Sequence, residues 1–126
     1  MQPLIVYHGN CLDGSTAALC AYIKFGNDVE YYPGIYGAKF SAKTKDREVY
    51  FLDFSLKRKD MEKLECNRLV ILDHHKTALE ELGDMKFEGV LDMNKSGAML
   101  AYEYFKPDLN IDIIKRVQDR DLWKFE

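Results

Sequence analysis

Three short apolar runs in this chain end in the same way. Leu4-Ile5-Val6-Tyr7 runs into His8, Val49-Tyr50-Phe51-Leu52 into Asp53, and Leu69-Val70-Ile71-Leu72 into Asp73-His74-His75. Aliphatic and β-branched runs of this length fill the middle of parallel sheets. Each would therefore be a buried strand with a carboxylate or imidazole at its exit. Weaker runs at Val29–Tyr32, closed by Pro33-Gly34, and Lys86–Leu91, closed by Asp92, complete a set of five.

Helical stretches separate the strands. Ser15–Phe25 is small and apolar, with Ser15 or Asp13 as N-cap and Gly26-Asn27 as stop. Leu56–Cys66 is amphipathic, with Leu56, Met61 and Leu64 inward. Thr77–Leu82 is short and stopped by Gly83. Ser96-Gly97 opens a helix to Phe105 that ends at Lys106-Pro107. Asp108 or Asn110 caps a last helix through Val117, which leads into Gln118-Asp119-Arg120-Asp121-Leu122-Trp123. Leu122, Trp123 and Phe125 read as core or as a hydrophobic contact surface. The polar stretch Ile35–Arg47 reads as a loop whose Lys39, Lys43, Lys45 and Arg47 are solvated. Strands alternating with helices imply an α/β fold: an open, mostly parallel five-stranded sheet flanked by helices.

Parallel strands exit on one edge, and ligands of open α/β sheets bind there. His8, Asp13, Asp53, Asp73, His74 and His75 should therefore converge. So many carboxylates need cations between them, and a pair of divalent ions can clamp a displacement at phosphorus. Mixed imidazole and carboxylate ligands point to Mn2+, with Mg2+ and Fe2+ behind it. Cys11, Cys20 and Cys66 have no C-x-x-C spacing and read as free thiols of a reducing compartment. The chain's 126 residues fit one domain, and 47% hydrophobic content excludes a disordered chain. A net charge of −3 gives no basic signature for long nucleic acids. There is no membrane-length apolar run and no leader-like N-terminus, so the expected location is cytosolic.

His8-(x4)-Asp13-Gly14, Asp53-Phe54-Ser55, Asp73-His74-His75-Lys76 and Ser96-Gly97-Ala98, in that order, resemble the DHH phosphoesterases. The resemblance implies a Rossmann-like DHH domain over residues 1–126. It also implies metal-dependent hydrolysis of phosphate esters of nucleotides or short oligonucleotides. By the same resemblance, His8 and Asp13 would hold a first metal, Asp53 would bridge, and His74 would hold a second. Asp73 would orient the imidazoles, and His75 would meet the substrate phosphate. A fourth acidic ligand falls at Asp119 or Asp121, and Lys76, Ser96, Gly97 and Arg120 would border the substrate. Ser15 stands where many members carry a second Asp, which would weaken the second ion. The C-terminal domain that usually reads the substrate is not found in this stretch, so a homodimer or a longer parent chain would have to supply that cover. The alternatives are a non-catalytic metal- or nucleotide-binding module, or the N-terminal half of a two-domain phosphodiesterase.

Overall fold

The computed structural model describes residues 2–123, and the side chain of Trp123 and all of Phe125 lie outside the described residues. The elements in order are β1 (Leu4–His8), α1 (Leu12–Phe25), β2 (Glu30–Gly34), β3 (Glu48–Leu52), α2 (Arg58–Glu62), β4 (Arg68–Asp73), α3 (Lys76–Leu82), β5 (Glu88–Leu91), α4 (Gly97–Phe105) and α5 (Ile111–Trp123). The strands form one open sheet, ordered β2-β1-β3-β4-β5, and every pairing is parallel. The expected α/β sheet is thus wholly parallel rather than mostly so. Its order reverses between β1 and β3, and beside such a reversal the loops leave a crevice at the carboxyl edge.

Alternation along the three central strands builds two cores. Ile5, Tyr50, Leu52, Val70 and Leu72 face Ala17, Cys20, Ala21, Ala98, Leu100 and Ile114, from α1, α4 and α5. Leu4, Val6, Val49, Phe51 and Ile71 face Met61 of α2 and Leu82 of α3. The edges are weaker: Pro33, which has no N–H to give a ladder, sits in β2, and Val90 of β5 is exposed.

Some boundaries move. The α1 helix begins at Leu12, three residues before the expected start, with Cys11 rather than Ser15 or Asp13 at the N-cap position. Gly14 permits this, since a Cβ there would stand 2.2 Å from the His8 carbonyl oxygen. The first turn of α1 therefore lies directly on the exit of β1. The α5 helix runs past Val117 to Trp123, so the late acidic residues ride on a helix rather than follow one. α2 is only Arg58–Glu62. Arg47 is a further correction: it is buried, not solvated. Its guanidinium donates to the Gln2 and Lys43 carbonyls at 2.7 and 2.9 Å and reaches Glu30 at 3.2 Å.

Candidate metal centre

The strand exits deliver their polar residues to one rim. His74 follows β4 with its ring buried, and its Nε2 lies 2.9 Å from Asp53 Oδ1, 3.2 Å from Asp13 Oδ2 and 3.5 Å from Asp121 Oδ2. His8, at the end of β1, brings Nδ1 to 3.6 Å from Asp53 Oδ2. Asp53 thus turns one carboxylate oxygen to each imidazole. It does so from φ 58°, a left-handed conformation that costs a non-glycine residue about 1–3 kcal/mol. A 2.8 Å bond from its N–H to the Leu72 carbonyl holds that bend.

Close approach here is not hydrogen bonding. His8 Nδ1, Asp53 Oδ1, His74 Nε2 and Asp121 Oδ2 are all buried, and none has a partner in hydrogen-bond alignment. An orphaned buried polar atom costs about 1–3 kcal/mol, and four in one cluster are hard to sustain without something between them. Imidazole nitrogens and carboxylate oxygens that crowd together without aligning on one another suit shared cations, so these residues fit divalent metal.

Charge in the cluster is strongly coupled. Burial favours a neutral His74, yet Asp13 and Asp53 outweigh it and carry its pKa up to about 10. Burial opposes ionisation of Asp53, but His74 and His8 bring its pKa down to about 2. Burial, then the nearby Asp13 charge, raises the Asp121 carboxyl.

A second set of contacts holds the ligands in place. The Asp13 carboxylate accepts the Gly97 and Ala98 N–H groups at 2.9 and 2.8 Å, which ties α1 to the start of α4. Asp73 is fully buried. Its Oδ1 accepts the His74 N–H at 2.7 Å and lies 2.7 Å from His75 Nδ1, while Ser55 donates to its Oδ2 at 3.0 Å. With Nδ1–H given to Asp73, His75 keeps a lone pair on Nε2, 3.9 Å from Asp53 Oδ1. Burial opposes a charge on His75 and Asp73 favours it, and the net shift is upward. Gln118 accepts the Ser96 N–H at 3.0 Å and so anchors α5 beside the rim. Tyr36 from the β2–β3 loop lies edge-on to His8, with ring centroids 5.1 Å apart.

Comparison with known proteins adds one relative. No family model matches the chain, and no solved structure does. An uncharacterized protein of Acanthamoeba polyphaga mimivirus is 30% identical over 145 aligned positions, covering 98% of this chain and 34% of the viral protein. The chain spans about a third of that relative's length.

The sequence-predicted ligands sort unevenly. Among the described residues, those that could hold a metal ion fall into three overlapping groups: Asp13, His74 and Asp121; His8, Cys11 and Asp53; and Asp53, Asp73, His74 and His75. Asp13 groups with His74 and Asp121, whereas the motif resemblance pairs it with His8. Ser15 is exposed on α1. Asp119 is exposed and belongs to none of the groups, whereas Asp121 of α5 belongs to one. Arg120 is exposed as well. Ser96 and Gly97 are buried. The Ser96 hydroxyl accepts the Met99 N–H to cap α4, and Gly97 serves Asp13.

A cavity of about 450 Å3, lined by His74, His75, Lys76, Met93, Asn94 and Leu122, opens beside the cluster. A larger one, of about 520 Å3, contains Tyr36, Phe54, Lys57 and Lys59 but none of the residues of the three groups. Among the described residues no helix is long and apolar enough to cross a membrane. The sequence reading missed Cys11, Ser55, Tyr36 and Gln118. Cys11 carried a signal, three residues beyond His8 at a strand exit, and Ser55 stood in the Asp53-Phe54-Ser55 motif without a role of its own.

Proposed function

We propose that this chain is a divalent-cation-dependent phosphoesterase domain acting on phosphate esters of nucleotides or short oligonucleotides. The observation that carries the reading is the set of four buried, unpartnered ligand atoms of His8, Asp53, His74 and Asp121 on one rim. The ordered motif resemblance to DHH phosphoesterases supports it. Asp13, His74 and Asp121 would hold one ion and His8 and Asp53 the other, with Asp53 between them. Mn2+ suits these ligands, ahead of Mg2+ and Fe2+. Bound divalent ions would activate water and neutralise charge on a phosphoryl group.

The chain's own groups supply the rest. His75, its Nδ1 tied to Asp73, holds or releases a proton at Nε2, facing the centre, and serves the leaving oxygen. Asp73 fixes the ring, and Ser55 fixes Asp73. Lys76, exposed at the mouth of the cavity, attracts the phosphate. The test is a panel of nucleotide and dinucleotide substrates with Mn2+. Asp53→Ala and His74→Ala abolish Mn2+-stimulated hydrolysis, and undiminished turnover in either variant overturns the reading.

A second reading is a module that binds metal and nucleotide without turnover. It is favoured by a thiol, rather than a second carboxylate, beside His8. Calorimetric nucleotide binding with no product over long incubation distinguishes it.

A further inference from the structure

The two poles of the centre differ in chemistry. Asp13, His74 and Asp121 offer oxygen and nitrogen, whereas His8 and Asp53 are joined by Cys11. The thiol stands 3.7 Å from Asp53 Oδ2, and His8 Nδ1 stands 3.6 Å from the same oxygen. Ligands at metal–nitrogen, metal–oxygen and metal–sulfur bonds of about 2.0–2.3 Å lie at roughly such separations. Cys11 occupies the N-cap position of α1 but makes no side-chain cap bond, and its thiol instead donates to the Asp53 carboxylate. His8 Nδ1 is buried and unpartnered, and Asp53 is wholly buried.

Resting on the metal-centre reading, we propose that Cys11 is a thiolate ligand of the ion held by His8 and Asp53, making that pole selective for Zn2+, Co2+ or Fe2+ over Mn2+ and Mg2+. Coordination forms a sulfur–metal bond and releases the thiol proton to solvent, with no change of oxidation state. A bound divalent ion deprotonates a coordinating thiol outright, and sulfur prefers the softer ions of the first row. The centre is then a hetero-site: a softer ion beside His8, and an ion favouring oxygen and nitrogen beside His74.

The experiment loads the whole chain with Co2+ and reads its absorption spectrum. Visible ligand-field bands report occupancy of the centre, and a near-ultraviolet thiolate-to-cobalt band reports sulfur. Both are expected in the wild type and in Cys66→Ser. In Cys11→Ser the ultraviolet band disappears while the visible bands remain, and Zn2+ affinity falls by at least about tenfold. Visible bands without the ultraviolet band in the wild type, or an ultraviolet band that survives Cys11→Ser, overturn the inference and leave the metal centre standing. Absence of both overturns the metal centre and the inference together. Should Cys11→Ser not fold, maleimide labelling of the wild type with peptide mapping decides. Zn2+ slows modification of Cys11 by about tenfold or more and leaves Cys66 unchanged if Cys11 is a ligand, and equal rates for Cys11 with and without Zn2+ refute it.

Discussion

Gly97 is the sharpest place to test how the centre is held. It is the first residue of α4, where alanine would ordinarily help: relieving a helical glycine is worth about 0.4–1 kcal/mol. Here a Cβ would meet Asp53 Cβ at 2.5 Å and both Asp53 Cγ and Oδ1 at 2.7 Å. Ordinary contact needs a separation larger by roughly 1 Å. Asp53 has little room to give, being fully buried, bent into φ 58° and bonded through its N–H to Leu72. If α4 moves instead, the Gly97 N–H leaves Asp13. Overpacking of this kind costs about 1–3 kcal/mol and outweighs the helix gain, for a net loss of about 1–2 kcal/mol. At about 3–5 °C per kcal/mol for a domain of this size, Gly97→Ala melts several degrees lower. Displacing a ligand carboxylate by an appreciable fraction of an ångström should also lower Mn2+ affinity by about 10–100-fold. Thermal melting and a Mn2+ titration followed by paramagnetic resonance measure both. A variant that melts at or above the wild-type temperature and keeps Mn2+ affinity within about twofold would refute the claim that α4 is the backstop of Asp53.

Asp121→Ala lowers metal affinity by about 10–100-fold, whereas Asp119→Ala leaves it unchanged; equal effects in calorimetry would contradict the assignment on α5. Metal binding is linked to protons. With its pKa carried up to about 10, His74 is protonated at pH 7 in the metal-free chain and must lose that proton to coordinate. Affinity therefore rises with pH below about 10, and calorimetry in buffers of different ionisation enthalpy shows net proton release at pH 7; no dependence on the buffer counts against the coupling. Arg47→Met leaves the Gln2 and Lys43 carbonyls without their donor and costs about 2–4 kcal/mol in urea unfolding, and a loss under about 1 kcal/mol would mean water replaces the guanidinium.

The strands were legible because burial on both faces demands continuous apolar runs, and Val49–Leu52 and Leu69–Leu72 have no other economical place to go. Convergence of His8, Asp53 and His74 followed from parallel pairing alone. The start of α1 was less legible. Asp13-Gly14 carries turn chemistry, and only the close approach of Gly14 to the His8 carbonyl makes it helical. The choice between Asp119 and Asp121 was in principle readable. Asp121 stands seven residues, two helical turns, beyond the buried Ile114, and Asp119 does not share that face. It stayed open because the helix was expected to stop at Val117. The direction of Cys11 was not readable, since it depends on Asn10 in the left-handed region at φ 55° and on α1 beginning one residue later. Arg47 misled because charge in a polar loop usually means solvation, and nothing local reveals that three backbone carbonyls surround it.

Several departures from local rules lie at one rim. Asp53 and Asn10 there are two of four non-glycine residues in left-handed conformations among the described residues, Asp46 and Lys106 lying elsewhere. Cys11 and His75 hold the N-cap positions of α1 and α3, yet neither caps its helix, whereas Ser96, which is no ligand, caps α4 in the ordinary way. Four buried ligand atoms lack partners. Each uncapped helix and each strained or unpaired group costs about 1–2 kcal/mol, and a domain's whole stability is only about 5–15 kcal/mol. Apolar side chains at the same rim would avoid these costs, because a buried charge cluster is seldom more stable than a well-packed apolar replacement. Away from the rim, Arg47 shows the ordinary behaviour, its buried guanidinium satisfying backbone carbonyls. Strained and unpartnered groups that meet where five segments converge fit a bound cation, and the binding free energy of such an ion would then be part of the folding free energy.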